Sequence, residues 1–487
     1  MANQSAAFVQ KAGELQNAFK EVQKLFQPDF INRWTKEVEQ YKEFAENPVF
    51  QVAVVGAIKA GKSTLLNAML GEELTSTEVT PETASLTIFK YSPENYVKVK
   101  FLSRLEWDEL WASATKKADS IFAKEFQNVN GERYVNEWAG HKEIEEKFSS
   151  IEKLKTTIKR YSSSKSGEHY FVKELEIGLS QFPDFLPREI VLVDTPGLDD
   201  VVPYRSEITT HYISRANAVI VCVNAKFLAN EQYVTLTKVF EQVGKGKKIL
   251  VLGTQADTFQ NPKRDWEKQK LEWEKYLEDL YKDPALMRKN LIGVSSYIFS
   301  LIKKLEAGKD IPDTDITNIA QFAKGNEINI PSLVSKEDIL KAAEDGNVDM
   351  DRLLARTQKK IIKEKAADLL ACTNIPAFFN ALNDGPLQDS TVELQNDLTY
   401  KYQSIENEVK NQALDVKASI EEQVTILSGT VEEKESAIRQ KGEEFKNLSK
   451  YATEVEDSFT EMRKKVNAAI EDVKSKLDSE LKKVVGV

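Results

Sequence analysis

A glycine-rich run between an apolar strand and a helix-like segment limits what this chain of 487 residues can fold into. The strand is Phe50 to Val55, and the segment 64–70 after the run favours a helix. Glycines in this context let backbone N–H groups surround a phosphate, and the helix N-terminus adds positive partial charge. The sequence therefore predicts a phosphate-binding loop made of Gly56, Ala57, Ile58, Lys59, Ala60, Gly61, Lys62, Ser63 and Thr64.

The loop has the spacing G-x-x-x-x-G-K-[ST], whose last residues have chemistry of their own. Lys62 is expected to bridge the β- and γ-phosphates of a nucleotide, and Ser63 is expected to ligate Mg²⁺. A chance turn of glycine and lysine does not explain a strand and a helix in register with it. Because the loop alone fits ATP as well as GTP, the class of nucleotide depends on later motifs.

A second motif, Asp194-Thr195-Pro196-Gly197, follows the apolar strand at 190–193. In this D-x-x-G arrangement Asp194 is expected to reach Mg²⁺, and the N–H of Gly197 is expected to meet the γ-phosphate. When that phosphate leaves, the following loop relaxes, which is the behaviour of a nucleotide switch. A simple Pro-Gly turn would not account for an aspartate at the end of a strand.

The strand at 249–252 ends in a motif that bears on the choice of base. GTPases have [NT]-K-x-D at this point, and its aspartate accepts hydrogen bonds from the ring N–H and amino group of guanine. Thr254 and Asp257 match this pattern, whereas Gln255 stands in place of the usual lysine. Adenine offers no matching pair of donors, so Asp257 predicts GTP and GDP as ligands, with a preference whose strength Gln255 leaves open.

Short apolar runs alternate with helix-length segments from residue 49 to about 385, which predicts a parallel sheet covered on both faces. Such a doubly wound sheet binds ligands at the carboxyl ends of its strands. Ser295 and Ser296 follow the last run and are expected to form a base-contacting loop. Residues 101–188 are predicted to be a helical insertion, and 305–335 to be loops. The predicted strands are 49–55, 189–193, 218–223, 248–253 and 291–294.

Both ends of the chain show helical periodicity. From about 390 onward there is no proline, and apolar residues recur mostly three or four apart, which predicts long helices in a bundle or coiled coil. The segment before residue 47 has the same pattern in two pieces. We therefore predict N-terminal helices at 1–48 that pack into a neck or stalk, a nucleotide-binding domain at 49–385, and a C-terminal helical stalk at 386–487.

Composition narrows the partners and the compartment. The net charge of −10 gives no global positive field to attract nucleic acid, so no nucleic-acid partner is expected. Two cysteines, Cys222 and Cys372, cannot build a disulfide framework or a zinc site, which favours a reducing, cytoplasmic location. The first residues lack the pattern of a signal peptide, and no run of about 18 apolar residues predicts a spanning helix.

Taken together, these motifs resemble the bacterial dynamin-like proteins of the dynamin superfamily. The resemblance rests on the glycine-rich loop with its continuation to Gly71, on D-T-P-G-L-D-D at 194–200, on V-T-P-E-T-A at 79–84, and on Asn374-Ile375-Pro376-Ala377-Phe378. It implies an α/β P-loop GTPase domain with a mostly parallel, doubly wound sheet, plus an elongated all-α helical bundle or stalk built from both flanking segments.

The resemblance also implies roles for individual residues. A switch threonine should reach Mg²⁺ and the attacking water; Thr80 and Thr83 both fit, with Thr80 slightly favoured. Ile58 occupies the position where eukaryotic dynamins carry a glutamine that helps place the water. Lys59 is the candidate for a cation that stabilises the transition state, although a solvated lysine without such a role is the favoured explanation.

The implied function is that of a mechanoenzyme that converts GTP and water into GDP and phosphate. GTPase-domain dimers and stalk assembly would couple turnover to membrane remodelling or vesicle-related processes, with a second dynamin-like chain as a further partner and the membrane as a peripheral contact. Gln255 and Ile58 keep open a nucleotide-gated scaffold with little turnover. A coiled-coil P-loop ATPase is the third alternative, against which the D-T-P-G motif argues.

Overall fold

The protein was analysed as a computed structural model, which describes residues 9–10, 13–14, 16–17, 26, 28–46, 48–57, 59–75, 85–115, 121–163, 165–196, 209, 212–213, 216–226, 228, 230–243, 248–334, 349–426 and 431–485. The chain divides into two compact units. Residues Val49–Ser390 form one unit, here named the sheet unit. Residues Met1–Pro48 and Thr391–Val487 form the other, here named the helical unit. The predicted division into three functional segments stays a prediction.

A nine-stranded sheet lies at the centre of the sheet unit, in the order β4-β3-β5-β2-β6-β1-β7-β8-β9. Strands β6, β1, β7, β8 and β9 run parallel to one another, and β2 runs antiparallel to β6. The strands are β1 (Phe50–Gly56), β2 (Leu86–Tyr91), β3 (Asn95–Phe101), β4 (Ile144–Phe148), β5 (Val172–Leu179), β6 (Ile190–Asp194), β7 (Ala218–Asn224), β8 (Ile249–Thr254) and β9 (Leu291–Gly293).

The parallel half of the sheet confirms the predicted α/β fold class. Every residue of β6 and β8 is buried, and the apolar side chains of β1 and β7 form a core with the helices around them. Burial on both faces explains why these strands are continuous apolar runs. The carboxyl ends of the same strands carry the glycine-rich loop, Asp194 and Thr254, so the topology brings the predicted site to one edge of the sheet.

The other half of the sheet differs from the expectation for residues 101–188. That segment contains helices, but β4 and β5 also lie in it and extend the sheet through antiparallel pairs with β3. In β3 the sequence N-Y-V-K-V-K-F alternates polar and apolar residues, and β4 alternates partly buried with exposed ones. Such half-exposed strands lack the long apolar runs that mark buried strands.

Helices cover the sheet and continue past its last strand. Residues 313–325, within a segment predicted as loops, form a helix whose Ile316, Ile319 and Phe322 are buried. The helices of the sheet unit are α2 (Lys62–Leu70), α3 (Arg104–Ala114), α4 (Ile121–Asn128), α5 (Val135–Trp138), α6 (Ile151–Ser162), α7 (Asn230–Val243), α8 (Pro262–Tyr281), α9 (Pro284–Asn290), α10 (Ser296–Glu306), α11 (Asp313–Gly325), α12 (Met350–Glu364), α13 (Ala366–Cys372) and α14 (Ile375–Asn383).

The helical unit is built from α1 (Pro28–Glu46), α15 (Ser390–Ile426) and α16 (Val431–Val485). Its core joins segments from both ends of the chain: Trp34 and Val38 of α1 pack in one cluster with Leu398 of α15 and Met462 of α16. This packing is the helical bundle that the periodicity predicts. Among the helices that the structure describes, none has a stretch long and apolar enough to cross a bilayer.

Candidate nucleotide-binding site

The glycine-rich loop leaves β1 in a conformation that requires glycine at two points. A Cβ on Gly56 would lie 2.4 Å from the backbone oxygen of Cys222, so no other residue fits there without moving β7. Gly61 has φ +82° and immediately precedes α2. Both constraints bring the loop close to its neighbouring strands and turn it into the N-terminus of a helix, as phosphate-binding loops do.

Lys62 lies in the first turn of α2 with only 8% of its surface exposed. Its Nζ donates to the backbone oxygen of Gly56 at 2.9 Å and to that of Ala57 at 3.2 Å. The ammonium therefore lies over the loop, where it is bound only by neutral carbonyl oxygens in these two contacts. Phosphate oxygens are stronger acceptors for such a cation, since charge-assisted hydrogen bonds are about twice as strong as neutral ones.

Asp194 ends β6, directly opposite Val54 of β1 in the parallel register. Its carboxyl is buried, and Oδ1 has no hydrogen-bond partner among the described residues. Burial raises the pKa of Asp194 to about 6, and the nearby charge of Lys62 offsets part of that rise. A buried carboxylate oxygen without a donor is unfavourable unless a cation binds it.

These observations test whether the residues suit Mg²⁺. Mg²⁺ prefers oxygen ligands and is usually bound through one or two protein groups together with phosphate oxygens. The unpartnered Oδ1 of Asp194 and the hydroxyl of Ser63, which is partly buried at the start of α2, are oxygen donors of this kind. The donor set fits a magnesium ion that is shared with a nucleotide.

Thr254 connects the end of β8 to the glycine-rich loop. Its hydroxyl lies 2.6 Å from the backbone oxygen of Ala60 and 3.0 Å from that of Val223, and it is almost fully buried. The backbone N–H of Ala225 donates to the oxygen of Thr254 at 2.8 Å. One threonine thus joins the carboxyl ends of β1, β7 and β8.

Gln255 makes a second connection. It has φ +60°, and its Nε2 donates to the backbone oxygen of Lys59 at 2.8 Å. Its Oε1 accepts from Nδ2 of Asn224 at 2.9 Å. The sequence motif flagged Gln255 as a departure from the usual lysine; it gave no role to Asn224, whose only signal is a polar residue at the carboxyl end of a buried strand.

Asp257 lies partly buried in the short helical turn that follows, and burial raises its pKa while the charge of Lys226 offsets part of the rise. The neighbouring loop is close by, because the N–H of Ala256 donates to the oxygen of Val294 at 3.2 Å. Ser295 and Ser296 are buried, and the Ser296 hydroxyl has no hydrogen-bond partner among the described residues. The structure therefore places these three residues at adjacent strand ends.

A third segment supports the loop that follows β9. The N–H of Ser295 donates to the oxygen of Thr373 at 3.0 Å, and Nδ2 of Asn374 donates to the oxygen of Gly293 at 2.9 Å. Asn374 has φ +57°, which asparagine tolerates better than most residues. The sequence showed N-I-P-A-F as a family feature without a role, and the structure assigns its first residue to holding the loop after β9.

Four of the predicted site residues lie outside the described residues: Ile58 of the glycine-rich loop, the switch candidates Thr80 and Thr83, and Gly197. The structure does show the hydrogen bonds of described residues that flank these segments. Asn67 of α2 binds both the N–H and the carbonyl of Thr75 at 2.9 Å, which anchors the residues before 76–84.

Beyond Asp194, the Thr209 hydroxyl donates to the oxygen of Pro196 at 3.0 Å. These hydrogen bonds hold Thr75, which precedes the first predicted switch, beside α2 and hold Thr209 beside Pro196, two residues after Asp194.

The site thus combines a buried cation, a buried carboxylate and a polar edge formed by Asp257, Ser295 and Ser296 at the carboxyl ends of parallel strands. Residues 52–252 match the profile described as the Dynamin family. Dynamin-like protein 1 of Campylobacter jejuni is 33% identical over 229 residues, which are 46% of this chain and 29% of that protein. The Bacterial dynamin-like protein of Nostoc punctiforme is 27% identical over 178 residues, 36% of this chain and 20% of that protein.

The matched stretch spans less than a third of either relative. Among solved structures, a chain of an oligomerised bacterial dynamin pair has 20% identity and a TM-score of 0.42, with 97% of this chain and 78% of that chain covered. The family profile extends from β1 to β8 and so contains the glycine-rich loop, Asp194 and the strand that leads to Thr254. The stretch from 52 to 252, which lies within the sheet unit, is therefore similar to the Dynamin family, and this similarity together with its α/β fold identifies the stretch as a dynamin-type GTPase domain.

Proposed function

We propose that this chain binds GTP and GDP together with Mg²⁺ and hydrolyses GTP to GDP and phosphate. The observation that carries the proposal is the pair of buried, opposite charges at the ends of adjacent strands. Lys62 contacts only loop carbonyls in its described hydrogen bonds, and Asp194 has an oxygen without a partner. A phosphate and a divalent cation supply what each side chain lacks.

Each residue has a defined task in this proposal. Lys62 exchanges the oxygens of Gly56 and Ala57 for phosphate oxygens, and the N–H groups at the start of α2 complete the phosphate cradle. Ser63 and Asp194 would hold Mg²⁺, and the bound ion would supply positive charge beside the phosphates. Thr80 or Thr83 orients the attacking water, with Thr80 the first choice, and Lys59 adds positive charge at the transition state.

The guanine preference is assigned to Asp257, with Ser295 and Ser296 closing the base pocket. A carboxylate accepts from both the ring N–H and the amino group of guanine. An amide at this position accepts one hydrogen bond and donates the other, so its donor would face the amino group of guanine. Xanthine has a carbonyl there instead, which accepts from that donor. Asp257→Asn is therefore expected to lose GDP binding and to bind xanthosine diphosphate instead.

Calorimetry with GDP, ADP and xanthosine diphosphate, with Mg²⁺ and with chelator, tests this assignment. The wild type is expected to bind GDP in preference to ADP, and Lys62→Ala is expected to bind neither. Lys275→Ala changes an exposed lysine on α8 and serves as the matched control. Equal binding of ADP and GDP by the wild type would contradict the guanine assignment and revive the ATPase alternative.

We also propose that nucleotide binding drives dimerisation of the sheet unit and assembly through the helical unit, at a membrane surface as a peripheral contact. The similarity of residues 52–252 to the Dynamin family supports this proposal, and both homotypic assembly and a second dynamin-like chain agree with it. Light scattering with a non-hydrolysable GTP analogue, with and without liposomes of mixed anionic composition, tests both parts. An unchanged mass with every nucleotide would contradict self-assembly and favour a requirement for a second chain.

A further inference from the structure

Three hydrogen bonds in series connect the ends of β7 and β8 to the glycine-rich loop. The N–H of Lys226 donates to Oδ1 of Asn224 at 3.0 Å. Nδ2 of Asn224 donates to Oε1 of Gln255 at 2.9 Å, and Nε2 of Gln255 donates to the backbone oxygen of Lys59 at 2.8 Å. Each side-chain amide accepts at one end and donates at the other, so the series runs in one direction.

This series needs amides at both positions. A lysine at position 255 has three donors and no acceptor, so Nδ2 of Asn224 would face another donor. An aspartate at position 224 has only acceptors, so Gln255 would have to turn its amide and place Oε1 against the oxygen of Lys59. Asn224 and Gln255 are therefore matched to each other, and neither can change alone without breaking a bond.

The end of the series bears on the geometry of the loop. Lys59 has φ +64°, an unfavourable conformation for a residue with a side chain, and its carbonyl is held by Gln255. The next carbonyl, that of Ala60, is held by Thr254 at 2.6 Å. Because a peptide unit is planar and trans, fixing these two oxygens also fixes the opposite directions of the N–H groups of Ala60 and Gly61.

We propose that Asn224 and Gln255 form a positioning pair, which fixes the phosphate-binding loop relative to the base-reading loop so that phosphates and guanine are bound together. The pair replaces the lysine that usually occupies position 255 by a neutral bridge. This inference rests on the proposed function, because it assigns the pair a role in nucleotide binding. Neither residue is a catalytic residue; both act through the backbone of Lys59.

The test is a double-mutant cycle in which the dissociation rate and the affinity of a fluorescent GDP analogue are measured in the presence of Mg²⁺. Gln255→Lys and Asn224→Asp are each expected to weaken binding by about five- to tenfold, since one hydrogen bond is lost in each. The double variant joins an ammonium to a carboxylate and lets that ammonium donate to Lys59, so affinity is expected to return to within about threefold of the wild type.

Thermal unfolding without nucleotide shows that the variants are folded, and the ratio of GDP to ADP affinity reports the alignment of base and phosphate sites. Single variants that bind like the wild type, or losses that add in the double variant, would overturn the proposal while leaving GDP binding by the wild type in place. A wild type that does not bind GDP, like Lys62→Ala, would overturn the proposed function and this pair with it.

Discussion

The hydroxyl of Thr254, at the end of β8, lies 2.6 Å from the backbone oxygen of Ala60 in the glycine-rich loop. Both groups are buried, and a Cβ on the adjacent Gly61 would meet the Thr254 side chain at 3.3 Å. The end of β8 and the glycine-rich loop are thus in contact through packing as well as a hydrogen bond. A change at one of them is expected to alter the other.

Thr254→Val keeps the shape of this side chain but removes its donor. The oxygen of Ala60 would stay buried without that bond, which costs about 1–3 kcal/mol in the free energy of unfolding. Urea unfolding of the nucleotide-free protein measures this loss, and GDP affinity is expected to fall with it. Thr254→Ser retains the donor and serves as the control; equal stability of the valine and serine variants would show that the hydrogen bond does not matter.

Asp194 predicts a dependence of stability on pH. Its pKa rises from 3.8 to about 6 on folding, so the folded state binds the proton more tightly. The nucleotide-free protein therefore loses stability as pH rises from about 4 through 6. Asp194→Asn removes the buried charge and is expected to be more stable than the wild type by about 3 kcal/mol at pH 7.

Denaturant unfolding in chelator between pH 5 and 8 measures this difference, which should narrow toward pH 5. Addition of Mg²⁺ and GDP should reverse the order, because the ligand stabilises only a protein that binds it. Asp279→Asn, at an exposed position of α8, is the matched control. A difference that stays constant across this pH range would contradict a raised pKa for Asp194.

Trp266 fills the space above two glycines of neighbouring strands. A Cβ on Gly253 would lie 2.3 Å from its ring, and one on Gly293 would lie 2.4 Å from it. Gly253→Ala and Gly293→Ala are expected to destabilise the sheet unit by about 1–3 kcal/mol through overpacking. Gly442→Ala, in open space within α16, should be neutral or stabilising. Thermal unfolding compares them, and alanine variants as stable as the wild type would show that Trp266 moves freely.

Leu398 and Leu414 provide a matched pair in α15. Leu398 is 3% exposed within the core shared with Trp34 and Val38, whereas Leu414 is 52% exposed. Leu398→Ala is expected to destabilise the helical unit by about 2–5 kcal/mol, and Leu414→Ala by less than about 1 kcal/mol. Protease resistance of the segments 28–46 and 390–426 in urea reports on this unit, and similar effects of both substitutions would contradict the described packing.

The sequence and the structure agree best where strands are buried on both faces. The run 218–223 is apolar throughout and rich in valine and isoleucine, which favours a parallel strand that is covered on both faces. The half-exposed strand Ile144–Phe148 carries three charged residues and no such signal, so its place in the sheet depends on pairing with distant residues. Whether such a segment joins the edge of a sheet depends on tertiary contacts, and the periodicity of the sequence carries no information about them.

In the candidate site, too, local motifs could be predicted from the sequence, whereas contacts between distant segments could not. The roles of Lys62 and Asp194 were predicted from motifs with fixed spacing next to a strand, and the structure buries both side chains at neighbouring strand ends. The bridge from Asn224 through Gln255 to Lys59 joins three distant parts of the chain. No local pattern signals such a bridge, because the hydrogen bonds exist only once β7 and β8 lie side by side.

The most direct test of the central claim is steady-state turnover of GTP and ATP at increasing protein concentration, with Lys62→Ala and Lys275→Ala measured alongside. The account predicts turnover that is selective for GTP, rises per molecule with concentration, persists in Lys275→Ala and is lost in Lys62→Ala. Absent turnover, with GTP still bound by the wild type, would contradict it and leave a nucleotide-gated scaffold.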